Sequence, residues 1–322
     1  MTPRLLFLLA VLATLVAVSP ASAQSWPAKP VRIFVPFVAG GNSDSVTRIT
    51  AEWLTQRIGG PFIVENKPGA AGAIAAEYVA RSQPDGYTLF MATAPQMAIL
   101  PAMTRTPYDP VRDFALISIV GTSVFVLALN DTIPAATLTE FIAHVRERPG
   151  QLSYASAGTG SGTHLTMALF LQRAGLQMTH VGYKGGARGF VDVLAGHIPA
   201  YFGNVTDVLP HTKSAKIRLL AVSSGKRTPL LANVPTVAEQ GYAGFHTDTW
   251  NGLAAPAGTP PAIVERIARE VGAGAKDPGF IKKLENIGVD ALGNSPAEVA
   301  KVLEADTRIW AEAVRISGAK LE

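Results

Sequence analysis

The sequence predicts an α/β protein built as two units joined by long strands. Three observations carry this. Short β-branched runs alternate with segments of helical period along the whole chain. Glycine-rich loops stand at a strand-to-helix junction in each half. One run, FALISIVGTSVFVLALN from Phe114 to Asn130, is much longer than the roughly five or six residues of an ordinary strand. It reads as a chain crossing from one unit to the other near Gly121.

The elements follow in order. Val31 to Val38 reads as a buried strand, and the segment from Asp44 puts Val46, Ile49, Trp53 and Leu54 on one helical stripe. Phe62 to Val64 is a second strand, closed by Asn66-Lys67-Pro68-Gly69. GAAGAIAAEYVARSQ is an Ala-rich helix that stops before the turn Pro84-Asp85-Gly86, and Tyr87 to Ala92 is the next strand. This is a βαβαβ unit with crossovers long enough for parallel pairing. After the long run the pattern repeats. Leu152 to Ser156 is a strand and His164 to Ala174 a helix ended by Gly175. His180 to Tyr183 is a strand and Gly189 to Ala195 a helix ended by Gly196. Ile198 to Phe202 and Ile217 to Ser223 are further strands. DTWNGLAAPAGTPP reads as the return crossing, and helices from Pro261 to Gly272 and Pro296 to Ser317 close the chain. The expected division is 24–124 plus 248–322 as one domain and 125–247 as the other.

Residues 1–23 read as a signal peptide: Arg4, an apolar stretch from Leu5 to Val18, then Pro20-Ala21-Ser22-Ala23. The stretch is short of the roughly 20 apolar residues that span a bilayer, so cleavage after Ala23 and export to the periplasm are expected. With Cys 0, a lipoprotein anchor, disulfide stapling, zinc–thiolate sites and a cysteine nucleophile are excluded. The remaining chain of roughly 300 residues can stabilise two ordinary cores. The formal charge of +4 is scattered rather than clustered, which argues against a nucleic-acid partner.

Two near-copies of one junction carry the functional reading: VPFVAGGNSDSVTRI from Val35, and LSYASAGTGSGTHLTMALF from Leu152. Each is strand, glycine loop, helix. A helix terminus of this kind offers free N–H donors and a positive dipole end to an anion. Ser43, Ser161 and Thr163 are natural N-caps, so either loop alone is best read as a capped helix after a tight turn. Two of them, one per unit and at the carboxyl ends of strands, point to a small anion held between the units. Neither loop has the Gly-Lys-Ser/Thr of a phosphate loop, and GTGSGT lacks the third glycine of a dinucleotide fingerprint. No Gly-x-Ser-x-Gly elbow is present. A secreted α/β serine hydrolase nonetheless stands as the alternative, because triad members can lie far apart in sequence. The six histidines include no pair spaced i, i+4, so no metal site or cofactor is expected.

The segments WPAKPVRIFVPFVAGGNSD, VENKPGAAGAIAAEYVARSQPDGYTL, YASAGTGSGTHL, YKGGARGFVDVLAGHIPAYF, IRLLAVSSGKRTPLLANVPTVAEQGY and WNGLAAPAGTPPAIVERI resemble, in the same order, the Bug (Bordetella uptake gene) family. These are extracytoplasmic solute receptors of tripartite tricarboxylate transporters. The resemblance implies a periplasmic-binding-protein fold of the type II kind, with two α/β domains closing on a small carboxylate. It also implies no catalysis, a monomer, and delivery of the solute to membrane permease subunits, with a sensor kinase as a further candidate partner. Carried over residue by residue, it puts one carboxylate at Phe37, Ala39, Gly40, Gly41, Asn42, Ser43 and Asp44. Asp44 would order the helix start and its waters, or meet an ammonium group. The distal end of the solute falls to Ser156, Ala157, Gly158, Ser161, Thr163 and His164. Tyr183 and Lys184 form another wall, Asn204 and Asp207 stand where pocket residues vary, and Thr93 and Ala94 face the middle of the ligand. Gly182 replaces the usual proline, and TAPQM from Thr93 departs from the family's pattern, so the solute cannot be copied from a relative. Dicarboxylates, tricarboxylates, aromatic acids and amino acids all stay open.

Overall fold

The computed structural model describes residues 26–319. The expected leader and its cleavage point lie outside the described residues.

One continuous ten-stranded sheet runs through the described residues: the strands that begin at Phe62, Val31, Thr88, Asp248, Phe114, Ala200, Ser153 and Thr179 lie side by side in that order, and those that begin at Ile217 and Asp290 also pair with the Phe114 strand. β1 (Val31–Val35) leads through α1 (Asn42–Ile58) to β2 (Phe62–Asn66). A kinked turn and α2 (Ala73–Ala80) then return the chain to β3 (Thr88–Ala92). β1 pairs in parallel with both β2 and β3, as the crossover lengths require. A π-helical turn, Pro95–Ile99, runs into the short α3 (Leu100–Met103).

The long run is a single strand, β4 (Phe114–Asn130). Its first part pairs antiparallel with β9 (Asp248–Pro256) as far as Val124 opposite Asp248. From Phe125 onward it pairs with β7 (Ala200–Asn204) on one side and β8 (Ile217–Val222) on the other. Gly121, shortly before the partners change, is needed where β10 (Asp290–Ala291) lies against β4: a Cβ there would lie 2.6 Å from Val289 Cγ1 and 2.7 Å from the Asp290 carbonyl. The second parallel set is β5 (Ser153–Ser156) between β6 (Thr179–Gly182) and β7. α5 (Gly162–Ala174) follows β5, after an intervening α4 (Leu138–Arg146) upstream. α6 (Gly186–Ala195) and the four-residue α7 (Val205–Val208) flank β7.

The chain closes with α8 (Pro261–Gly274), α9 (Pro278–Glu285) and α10 (Pro296–Ser317). α10 begins at a capping box, in which Ser295 accepts from the Glu298 N–H and Glu298 accepts from the Ser295 N–H. Its buried stripe of Val299, Leu303, Trp310, Ala313 and Val314 joins Phe34 and Phe90 of the first sheet half to Phe125, Phe170 and Phe202 of the second in one apolar cluster. Two further clusters are local, around α1, α8 and β1 in one half and around Phe190, Tyr201 and Val222 in the other. Each buried aromatic contributes roughly 1.5–3 kcal/mol of transfer free energy, so the C-terminal helix is a principal tie across the sheet.

Candidate functional site

The first loop ends β1 and opens α1. Gly40 adopts φ +86, a left-handed conformation that suits glycine. Gly41, at φ −84 and ψ 179, is the N-cap residue and contributes no side-chain cap. The expectation of Ser43 as cap is therefore corrected. The helix starts two residues earlier because Gly41 reaches the extended N-cap geometry, and Ser43 is buried inside the first turn. The first helical bond runs from Ser45 N to Gly41 O. The N–H groups of Gly41, Asn42, Ser43 and Asp44 are thus the four that α-helix geometry leaves without an intrahelical partner.

Asp44 lies beneath this terminus and is almost fully buried. Its Oδ2 accepts from Gly40 N at 2.9 Å and Arg48 Nε at 2.9 Å. Its Oδ1 accepts from Asn66 Nδ2 at 2.9 Å and Arg48 Nη2 at 3.0 Å. Burial alone would raise its pKa, and is the largest single influence. The Arg48, Gly40 and Asn66 donors together outweigh it and hold the carboxyl below the usual range. The carboxylate is therefore a brace for the loop, engaged on both oxygens. Asn66 also donates to the Phe37 carbonyl at 3.0 Å, which ties the whole turn to the end of β2.

Thr93 and Ala94, at the end of β3, are buried. The Thr93 hydroxyl donates to Gln96 Oε1 at 2.6 Å, and Gln96 Nε2 donates to the Ala71 carbonyl at 2.8 Å. This holds a turn in which Gly69, Ala70, Ala71 and Gly72 all have positive φ, an arrangement that costs free energy at the two alanines. Gly72 has no room for a Cβ against Gln96 and Pro36, so the expected long Ala-rich helix begins only at Ala73.

The second loop is built differently. Ser161 is the N-cap of α5 and accepts from His164 N at 3.2 Å. Its hydroxyl donates to the Gly158 carbonyl at 2.6 Å. Thr163 is inside the first turn, and its Oγ1 accepts from Ala157 N at 2.8 Å. Gly158 N donates to Ser156 Oγ at 3.0 Å, and Gly160 N to His164 Nδ1 at 3.2 Å. His164 is buried below the loop and stacks on His180 with ring centroids 3.9 Å apart. Burial first, and the facing His180 second, push its pKa down to about 3, so both the stack and the acceptor at Nδ1 belong to a neutral imidazole. Gly162 sits against the Phe125 ring, 2.9 Å from a would-be Cβ.

Tyr183 borders the second loop, where its N–H donates to the Ser156 carbonyl at 3.0 Å. The Tyr183 hydroxyl donates to Asp192 at 2.5 Å, and Lys184 is exposed and forms no ion pair among the described residues. Asp207 accepts from the Tyr201 hydroxyl at 2.6 Å, and burial pushes its pKa up to about 6. Asn204, at the carboxyl end of β7, has a buried Oδ1 with no partner, as does the Thr206 hydroxyl. One residue that the sequence reading passed over belongs with these. Asn251 of β9 is fully buried and its Nδ2 donates to Asn42 Oδ1 at 2.7 Å. Its only sequence signal is a polar residue inside the apolar return strand, TWNGLAA. Asn251 stands opposite Gly121 of β4. Both loops therefore rest on β4 and its partner within four residues of each other, about 13 Å along the strand.

A serine–histidine contact does exist: Ser156 Oγ lies 2.6 Å from His180 Nε2. It is a poor nucleophile pair. Ser156 is fully buried, burial lowers the His180 pKa, and among the described residues no carboxylate bonds the other ring nitrogen.

The family described as tripartite tricarboxylate transporter family receptor matches residues 46–318. The chain belongs to this receptor family. Protein BugT of Bordetella pertussis is 33% identical to the receptor over 313 residues, 97% of this chain and 96% of its own length. The structure of R. palustris Rpa4515 with adipate has a TM-score of 0.87 at 33% identity, covering 92% of this chain and 100% of that one. MatC from Rhodopseudomonas palustris with bound malate has a TM-score of 0.83 at 26% identity, covering 90% and 100%. The receptor thus has the periplasmic-binding-protein fold that the resemblance implied, and it is a solute receptor rather than an enzyme; the hydrolase alternative falls. Receptors of this family are periplasmic, and among the described residues no helix is long and apolar enough to cross a membrane.

Proposed function

We propose that this receptor captures a small carboxylate between its two sheet halves and hands it to the membrane permease of a tripartite transporter. The observation that carries the reading is the α1 terminus, where four N–H donors from Gly41 to Asp44 are left without side-chain caps at the carboxyl end of β1. Such a terminus attracts one carboxylate through its donors and dipole. The Gly162–Thr163 edge of the second loop, about 13 Å along the crossing strands, is within reach of the other end of a short diacid. The partner switch of β4 between Val124 and Phe125 supports a division into 24–124 with 248–322 and 125–247, hinged at the two crossings. A solute bridging both loops binds the closed arrangement better, and so shifts the population toward it. Relatives solved with adipate and malate support the ligand class. The periplasmic, monomeric form released by cleavage after Ala23 completes the reading.

Thermal-shift screening of purified receptor against di-, tri- and hydroxycarboxylates, aromatic acids and amino acids, followed by calorimetry, tests it. Saturable stabilisation by a carboxylate without turnover is the expected result. No stabilisation by any member, or turnover of one, would overturn it.

A further inference from the structure

Both crossings between the sheet halves are pinned by one side chain. Ser223 Oγ accepts from Phe125 N at 3.0 Å and donates to the Thr247 carbonyl at 2.5 Å. Val124 opposite Asp248 is the last β4–β9 pair before the partners change. An ion pair straddles this point: His246 Nε2, on the 125–247 side, lies 3.5 Å from Asp248 Oδ2 on the other. A second carboxylate joins them. Asp306 of α10 accepts from Trp250 Nε1 of β9 at 2.6 Å, and the Asp248 and His246 charges both act on it. The elements packed on α10 bring little other charge. β4, the π-helical turn and α3 have no ionisable side chain. α5 has His164, buried below its own loop, and Arg173, which donates to the Ala243 carbonyl at 3.4 Å. On α10 itself, Glu304 and Arg308 pair with each other at 3.2 Å.

The cluster sets one cation of one unit against two carboxylates of the other, where a hinge has to bend. With His246 protonated and both carboxylates ionised, attraction across the crossing favours the arrangement seen in the structure. Loss of the His246 proton leaves two like charges beside the crossing. Protonation of Asp306 removes one of the two anions that His246 meets. Burial raises the Asp306 pKa to about 6 with help from Asp248, against the opposing pull of Trp250, Trp310 and His246. The facing Asp248 holds the His246 value above its ordinary 6.5, and partial burial opposes it. The attraction is therefore fullest between these two titrations. We propose that His246, Asp248 and Asp306 form a proton-operated catch on the hinge, which favours the arrangement described here near neutral pH and releases it on either side. The proposal rests on the reading of the two crossings as a hinge. It concerns motion, and is independent of which solute is bound.

Spin-label distances across the hinge test it. The chain has Cys 0, so Thr139→Cys on α4 and Glu265→Cys on α8, both exposed, give one label on each unit. Double electron–electron resonance is recorded on the solute-free receptor at pH 5, 7 and 9. The population at the distance of this structure should be greatest at pH 7. Its ratio to the rest should fall up to about fivefold at pH 5 and at pH 9, the range of an exposed ion pair. His246→Gln removes the fall between pH 7 and 9, and Asp306→Asn removes the fall between pH 7 and 5. His197 is the control, because its Nδ1 lies 3.5 Å from Asp192 Oδ1, the same kind of pair away from the crossings. His197→Gln should keep both falls. A parent distribution that does not change from pH 5 to 9 would overturn the catch. So would a high-pH fall that survives His246→Gln, or one that His197→Gln also removes. No solute is added, so these results leave the proposed carboxylate capture to its own thermal-shift test.

Discussion

At the start of α1 the N–H groups of Gly41, Asn42, Ser43 and Asp44 all lack an intrahelical or side-chain partner. At the start of α5, Ser161 N has already donated to Gly158 and His164 N to the Ser161 hydroxyl. The two loops share a sequence plan, strand, glycines, helix. They differ at the N-cap, glycine against serine, and in the turn that precedes it. This difference leaves four donors free in the first and two in the second, where the Ser161 side chain takes the His164 N–H and the Gly158 carbonyl takes the Ser161 N–H. It also changes what supports each loop. The first is braced by a charged carboxylate, Asp44, held by four bonds. The second is braced by neutral groups: the Ser161 and Thr163 hydroxyls and the stacked His164 and His180 rings. On the proposed reading, the first terminus is the primary carboxylate site, and the second contributes shape and two donors.

The largest expected break in this contrast comes from Asp44→Ala. It removes the acceptor for Gly40, Arg48 and Asn66 together, and should cost about 2–3 kcal/mol in a denaturant titration, the range of a bond to a charged group. Solute binding should be lost with it. Asp44→Asn, which keeps one acceptor oxygen, should recover part of both.

His164→Phe is next. It strands the Gly160 N–H, at a cost of about 1–2 kcal/mol at neutral pH. It also changes the response to acid. The folded value of His164 lies near 3, below its ordinary 6.5, so between these limits the unfolded chain takes up a proton that the folded chain refuses. Stability therefore falls as pH drops from 6.5 toward 3. In the phenylalanine variant that decline should be shallower. The difference between variant and parent isolates this effect from Asp207, whose raised value of about 6 gives the opposite slope, with stability falling as pH rises from 4 to 6. Unfolding midpoints at several pH values would check both signs; an unchanged slope would mean that the stack does not hold His164 neutral.

Gly40→Ala places a Cβ at φ +86, and about 1 kcal/mol of stability should be lost. No atom within 4 Å opposes that Cβ, so the loss would be backbone strain alone. Ser161→Ala, which removes the cap of α5, should lower stability by roughly 0.5–1 kcal/mol. Affinity should change by less than about threefold, because the hydroxyl already bonds Gly158 and His164. A loss of affinity larger than the loss of stability would show the second loop to be a primary donor after all.

Much of this contrast was legible in the sequence. The βαβ order, the long run from Phe114 to Asn130 and the last helix from Pro296 to Ser317 all follow from periodicity and capping residues. So do the two loops as a pair. Gly121 itself marks no break, since β4 is one strand that changes partners only after Val124. The N-cap was misplaced because serine outranks glycine on propensity, whereas Gly41 reaches the required extended geometry at no steric cost. α4 was passed over although Thr137 caps it and Glu140 answers from three residues on. α9 was passed over although Asp277-Pro278 opens it. The Asn42–Asn251 contact joins residues 209 apart, and no local pattern records it. The same holds for Gly72, whose crowding comes from Gln96 and Pro36. What sequence leaves out here is long-range placement, since local propensity carries no information about which strand will arrive beside which loop.

The central claim is that bare backbone in the first loop holds the solute's carboxylate, and Gly41→Val tests it most directly. Gly41 has φ −84, and a Cβ there meets only the Val38 carbonyl, at 3.9 Å. Valine should therefore fold without strain while its branched side chain covers the four donors of the α1 terminus. Calorimetry of this variant with the tightest-binding carboxylate, alongside its thermal unfolding, should show cooperative unfolding with only about 1 kcal/mol lost to the poorer N-cap, and no detectable binding. A variant that melts normally and binds with the parent's affinity would contradict the account, and would reduce Gly40-Gly41 to a tight turn.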